Sequence, residues 1–294
     1  MRFRGHESFF IRKGWLYKGI KNVVKKPDVF TDKTENPMDI LGLGANMVRS
    51  LRYWLQAVGL TDENLSGKKK QELSPIGQII WDKDRYIEEM GTLWLLQYKL
   101  ASNFDEATAW YYFFNEFKIG EFKKDDFVGQ LSSYAKIKDE NKEYAVSSLE
   151  GDFECIINTY VSRKKSNPEK VHPESNIDCP FGELNLIDIV NKKEKVYKKS
   201  SPRKDSLNPL IVLAVIIDNA KDQKEIRINS LLTDPCNVGK IFNLEIIALT
   251  NYLYKLQDLG YIRVVRTAGL DVVRINTKFT FLDCVNKYYE EINN

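Results

Sequence analysis

Leu41-Gly-Leu-Gly-Ala-Asn-Met-Val-Arg-Ser-Leu-Arg-Tyr-Trp-Leu-Gln-Ala-Val-Gly-Leu60 is the stretch whose reading decides the fold. Two glycines open it with the spacing of a tight turn, and a helical period follows. Met47, Leu51, Trp54, Leu55 and Val58 recur at three- and four-residue steps, which is one apolar stripe along a helix. Asn46, Arg49, Ser50 and Tyr53 fall on another face, with Arg52 at its border, and Gly59 stands where a helix end takes a positive φ. Short helix, glycine turn, then a helix with a buried stripe and an Arg/Asn/Ser face is the pattern of a helix-turn-helix. Asn and Arg can pair with base edges and Ser with phosphate. The competing reading is a packed surface helix whose polar side meets water.

Working outward, Lys68-Lys-Lys70 and the Glu72-Leu-Ser-Pro-Ile-Gly77 segment follow the helix where a winged helix carries its strand-turn-strand wing. Lys68, Lys69 and Lys70 are therefore expected either at phosphate or in a solvated loop. Before the helix, residues 2 to 20 interleave basic and aromatic side chains. Arg2, Arg4, His6 and Arg12 are expected as further contacts. His6, Glu7 and Ser8 are too close in sequence to align as nucleophile, base and orienting acid, and no Gly-x-Ser-x-Gly elbow accompanies them. They are read as a hydrogen-bonded lead-in capping a helix that begins near Phe9.

The last ninety or so residues repeat the grammar. Pro209 to Asp218 is an apolar helix; Phe242, Ile246, Leu249, Leu253 and Leu256 mark an amphipathic one ending at Gly260. Tyr261 to Ile275 reads as a hairpin turning at Gly269, which makes Arg263, Arg266 and Arg274 wing arginines. The second helix carries Glu245 and Asp258, with Lys255 as its cation. That acidic face argues against deep docking in a groove, so this module is expected to bind protein or to use only its wing on DNA. Between the ends, helices are expected over Arg85–Asn103, Glu106–Phe117, from Lys123 through Tyr134, and from Gly151 to Val161. The Trp110-Tyr-Tyr-Phe-Phe114 run is read as core rather than as a base-stacking platform. The resulting expectation is a mainly α chain with winged-helix-like modules at 1–84 and 206–294. A helical block at 85–161 and a basic, proline-containing linker at 162–205 would join them.

The chain has 294 residues, 43% hydrophobic and 12% aromatic, with a formal charge of +3. That is a folded protein whose mild basicity permits a nucleic-acid partner without requiring one. No apolar run approaches the roughly 20 residues that cross a bilayer, and Met1-Arg-Phe-Arg-Gly-His6 lacks the apolar core of a signal peptide. A cytoplasmic location and no membrane partner are expected. Cys155, Cys179, Cys236 and Cys284 are far apart, and His6 and His172 are the only histidines. No metal site and no cofactor are expected, and the thiols are read as reduced and buried. No Walker loop, dinucleotide fingerprint or nuclease-type acidic core is found, so no catalytic residue is assigned.

Three segments together carry a resemblance. Phe3-Arg-Gly-His-Glu-Ser-Phe9, Leu43-Gly-Ala-Asn-Met-Val-Arg-Ser-Leu-Arg-Tyr-Trp54 and Gly91-Thr-Leu-Trp-Leu-Leu96 look like a bacterial family described only as a domain of unknown function. Its members are similar in length. The resemblance implies a gene lying in phage-defence and DNA-modification islands, beside phosphorothioation genes and one resembling phosphoadenosine-phosphosulfate reductase. It implies no activity that can be carried over residue by residue. The combined reading is a non-catalytic, DNA-associated accessory factor of such a system, with double-stranded DNA and proteins of a neighbouring operon as partners. The alternative is a protein–protein adaptor that uses the same folds for docking without touching DNA.

Overall fold

The computed structural model describes residues 1–64, 69–161, 179–267 and 270–293. Its first part contains α1 (Trp15–Lys25), α2 (Pro37–Leu41) and α3 (Ala45–Ala57). The antiparallel hairpin of β1 (Thr61–Glu63) and β2 (Gln71–Leu73) follows, then α4 (Pro75–Lys83). Local chemistry sets these boundaries. The Asn36 side chain accepts from Met38 N, Pro37 opens α2, and Gly42 closes it with φ 59. The helix expected near Phe9 instead starts at Trp15, behind Gly14 with φ 79 and without a side-chain cap. Leu73-Ser-Pro-Ile-Gly77, expected within the wing, leaves the hairpin and starts α4, because Ser74 Oγ accepts from Gly77 N at 3.0 Å.

The second part is α5 (Met90–Ser102), α6 (Thr108–Asn115), the short β3 (Glu121–Phe122), α7 (Lys124–Lys138) and α8 (Val146–Tyr160). Trp110, Phe113, Phe114, Phe117, Phe122 and Phe127 are buried together, so the aromatic run is core. Residues 179–199 fold onto this block. A 3-10 turn (Pro180–Leu184) leads into β4 (Ile187–Asn191) and β5 (Val196–Lys199), and β5 pairs with β3 to give the order β3-β5-β4.

The third part runs α9 (Pro209–Ala220), β6 (Glu225–Arg227), α10 (Ile228–Thr233), α11 (Val238–Ile241), α12 (Ile246–Asp258), β7 (Ile262–Thr267), β8 (Leu270–Ile275) and α13 (Phe281–Ile292). Its strands form an antiparallel sheet in the order β6-β8-β7. Leu210 to Ile216 of α9 are all buried. The parts interlock through the Gly91-Thr-Leu-Trp94 segment. Gly91 N donates to Tyr288 Oη at 3.0 Å, and a Cβ at Gly91 would stand 2.1 Å from the Tyr288 ring, so only glycine fits. Thr92 Oγ1 lies 2.6 Å from Asp84 Oδ2 and 2.5 Å from Tyr289 Oη, and Trp94 Nε1 donates to the Ser206 carbonyl at 2.8 Å. The fold is mainly α with small sheets. Among the described residues no helix is long and apolar enough to cross a membrane.

Candidate nucleic-acid interface

The N-terminal segment crosses α3, α6 and α8 as a strap. Arg4, Glu7 and Ser8 have φ of 55, 50 and 69, so the backbone turns sharply on both sides of His6. Gly5 allows the strap to lie on α3, since a Cβ there would come within 2.5 Å of the Tyr53 ring. His6 is fully buried between Trp54, stacked at 6.1 Å, and Trp110, edge-on at 5.8 Å. Its Nδ1 accepts from Ser8 N at 3.1 Å, which leaves the ring proton on Nε2, 2.7 Å from Asp152 Oδ1. Asp152 also accepts from Arg4 N, at 2.9 and 3.2 Å to its two oxygens. Burial raises the Asp152 carboxyl above its ordinary range, opposed by the His6 hydrogen bond.

This geometry corrects two expectations. His6 is a buried anchor and cannot reach a ligand from the surface, and His6-Glu7-Ser8 cap no helix. Nor do they form a nucleophile pair, because it is the Ser8 backbone that meets His6, while Ser8 Oγ accepts from Arg4 Nη2 at 3.4 Å. Phe9 completes the strap: its carbonyl accepts from Trp54 Nε1 at 2.8 Å and from Ser50 Oγ at 3.4 Å.

The polar face expected of α3 is thereby divided. Ser50 and Tyr53 are buried under the strap and do not face solvent; burial drives the Tyr53 phenol well above its ordinary value. Arg52 is committed to Glu63 of β1 by two bonds, Nε at 2.8 Å and Nη2 at 2.6 Å, and so ties the helix to the hairpin. Asn46 and Arg49 are exposed and hydrogen-bonded to each other, with Arg49 Nε 3.2 Å from Glu7 Oε1. They stand by the α3 N-terminus, where Gly44 supplies no side-chain cap. Arg4 is exposed on the same strap, near Gly151 of α8. Arg2, also exposed, pairs with Glu106 at 2.5 Å and lies 5.0 Å over the Tyr53 ring. Arg12 is half-buried over Phe9 and Trp15. Lys69 and Lys70 are exposed beside the hairpin, with the Lys69 carbonyl fixed by Thr31 Oγ1 at 2.7 Å, while Lys68 lies outside the described residues. The structure thus gathers Arg2, Arg4, Asn46 and Arg49 by the strap and α3, and sets Lys69 and Lys70 at the hairpin.

In the third part, Arg263, Arg266 and Arg274 are exposed on β7 and β8, and Arg263 is directly opposite Arg274. Arg274 is bound to Glu225 of β6 at 2.8 and 2.5 Å, and Arg266 lies 5.9 Å from the Tyr254 ring. The outer face of α12 shows Ile246, Ile247 and Tyr254, while Lys255 pairs with Asp205 at 3.2 Å. Gly269 and His172 fall outside the described residues. Cys155, Cys179 and Cys284 are buried and Cys236 is half-buried. Among the described residues no three His, Cys, Asp or Glu side chains converge as a metal ion would need. Asp152 is the residue that sequence reasoning missed. Its signal was available, an acid set within the apolar stripe Leu149, Phe153, Ile156 and Tyr160 of α8.

A model of the family described as a protein of unknown function, DUF4007, matches residues 3–289. No curated protein matches the chain. Two solved structures share its fold, one of SspB and one of magnesium ion-bound SspB. They superpose with TM-scores of 0.85 and 0.84 at 23% identity, each match covering 99% of this chain and 89% of the other. At that identity the likeness is one of fold.

Proposed function

The chain belongs to the DUF4007 family, and on that premise we propose that it is a DNA-binding accessory factor of a bacterial phage-defence or DNA-modification system of the phosphorothioation type, acting by contact rather than by covalent chemistry. In this reading the first and third parts are winged-helix-like modules. The order of helices before each hairpin and the strand order β6-β8-β7 support that reading. The observation that carries the DNA assignment is the exposed pair Asn46 and Arg49 at the uncapped start of α3, with Arg4 exposed on the strap. Phosphate fits such a place, where free helix N–H groups and a guanidinium ion stand at one helix end. Arg2, Lys69 and Lys70 extend the cationic edge. The third part, with Ile246, Ile247 and Tyr254 exposed on α12, is assigned to a protein of the same operon.

A magnesium ion is bound in one SspB structure, but the acids around this strap do not fit one. Glu7 is held by Arg49, Glu106 by Arg2 and Asp152 by His6, so no step is assigned to a metal. The test is fluorescence anisotropy with an unmodified duplex across a salt series. Arg4→Ala with Arg49→Ala should weaken binding and flatten the log–log salt slope by about 0.9 for each phosphate that is no longer neutralised. An unchanged slope removes the assignment. Incubation with supercoiled plasmid and magnesium should leave it intact; nicked product that vanishes in a strap variant would replace the contact-only reading with an enzymatic one.

A further inference from the structure

A separate cavity lies where the middle block meets the third part. It opens to solvent and has a volume of about 850 Å³, with Asn185, Lys199, Ser200 and Ser201 on one wall and Lys240 and Asn243 on the other. Asn243, left-handed at φ 49, joins the two walls. Its Nδ2 donates to the carbonyls of Leu186 and Ser200, both at 3.1 Å, and its own carbonyl accepts from Ser201 Oγ at 3.1 Å. Lys199 is half-buried at the end of β5. Its Nζ donates to the Phe117 carbonyl at 2.8 Å and lies 4.8 Å from the Phe113 ring centre. Burial, reinforced by the charge of Lys240, pushes the Lys199 ammonium down to about 7, and no carboxylate acts in the other direction. Asp188 and Glu245 line the cavity without ion-pairing to either lysine, and Asp188 is opposite Lys198 in the sheet. Ser200 Oγ is buried in the same wall without a hydrogen-bond partner.

We propose that this cavity binds a phosphate-bearing ligand of nucleotide size, with Lys199 and Lys240 neutralising the phosphate and Ser200 donating to it. Lys199 is desolvated and feels the charge of Lys240, and an anion between the two relieves that repulsion. The volume exceeds what a bare phosphate fills and falls within the range of about 300–1,000 Å³ typical of small-molecule sites. Phe114, Leu232, Leu244 and Ile246 supply an apolar wall for the remainder of the ligand. The competing reading is that Lys199 only fastens β5 to the Phe117 carbonyl.

Calorimetric titration of the full chain with pyrophosphate, adenosine monophosphate and a 5′-phosphorylated trinucleotide tests the site. Saturable binding is expected, weakened about tenfold or more by Lys199→Met and by Lys240→Met, with Lys193→Met as an exposed control that binds as the parent does. Tighter binding of the mononucleotide identifies a free nucleotide as the source of the phosphate; tighter binding of the trinucleotide identifies a DNA end. Sulfate, whose charge is constant here, should bind more tightly as pH falls from about 8.5 to 6.5 and Lys199 gains its proton. In the free chain at pH 7, Lys199→Met should hold or raise the melting temperature, whereas a purely structural lysine would lower it. Failure of all the phosphate probes to bind the folded chain at millimolar concentration overturns the proposal. So does parent-like binding by both variants. Neither result bears on the duplex face, whose residues lie elsewhere.

Discussion

Helices α3 and α12 share a buried pattern and show different outer faces. Leu51, Trp54, Leu55 and Val58 in the first, and Leu249, Tyr252, Leu253 and Leu256 in the second, are buried at the same spacing. Both helices end alike. Gly59 and Gly260 have φ of 73 and 81, and the next residues, Leu60 and Tyr261, donate back to the carbonyls of Leu55 and Leu256 at 2.9 and 3.0 Å. Superposing the stripes with Leu51 on Leu249 puts Arg49 on Ile247, Arg52 on Thr250 and Gln56 on Tyr254, and leaves the glycine of α12 three residues further along than Gly59. The buried stripe and the C-cap fix how such a helix sits against its module. They leave the outer face free, and here one face is polar and cationic while the other is apolar, with Glu245 and Asp258 at its ends. A shared core pattern therefore carries no information about the partner.

The N-terminal face also depends on a support for which α12 has no counterpart among the described residues, the strap anchored by His6 and Asp152, and this is where the comparison can be broken hardest. Asp152→Ala leaves His6 Nε2 and Arg4 N without their acceptor in a buried place. It should cost about 3–5 kcal/mol, read as a lower denaturant midpoint. If Asp152→Ala melts like the parent, the strap does not hold the face together. Arg52→Ala comes next. Losing two charge-assisted bonds to a half-buried Glu63 should cost about 1–3 kcal/mol, with little change in duplex affinity where the chain is folded. A large affinity loss at unchanged stability would return Arg52 to the contact surface.

These two residues also mark where the sequence stopped being legible. The α3 stripe, its glycine end, the α12 stripe and the aromatic core of α6 are local patterns, and local patterns survive folding. The strap is not local, since His6 and Asp152 are 146 residues apart. Nothing near Ser50 or Tyr53 announces that residues 5–9 will cover them, so a face polar in sequence became half buried. Arg52, at the border of two faces, was settled by Glu63, and no helical period could choose between Glu63 and water. Residues 187–199 read as part of a basic linker because five of the thirteen are lysines. They became strands because β5 found an edge at β3, a pairing that only the packed middle block supplies. The Lys199–Lys240 cavity was illegible for the same reason, being formed by walls from distant stretches.

Ile247→Arg is the mildest test and the one that most sharpens the contrast. Ile247 is 72% exposed, so the change should alter stability by no more than about 0.5 kcal/mol. It places on α12 the side chain that α3 carries at the aligned position. If one arginine made a DNA face, duplex affinity would rise steeply and the salt slope would steepen by about 0.9. The expected result is a change within about twofold. Glu245 and Asp258 remain at the ends of that helix, no strap among the described residues brings a second arginine beside the first, and Arg274 of β8 stays bound to Glu225. A face that binds a polyanion is a cluster held in place, and the cluster at α3 depends on residues 2–9 lying across it. Should Ile247→Arg bind duplex as proposed for α3, the two helices differ by a single side chain, and the strap loses its part in the explanation.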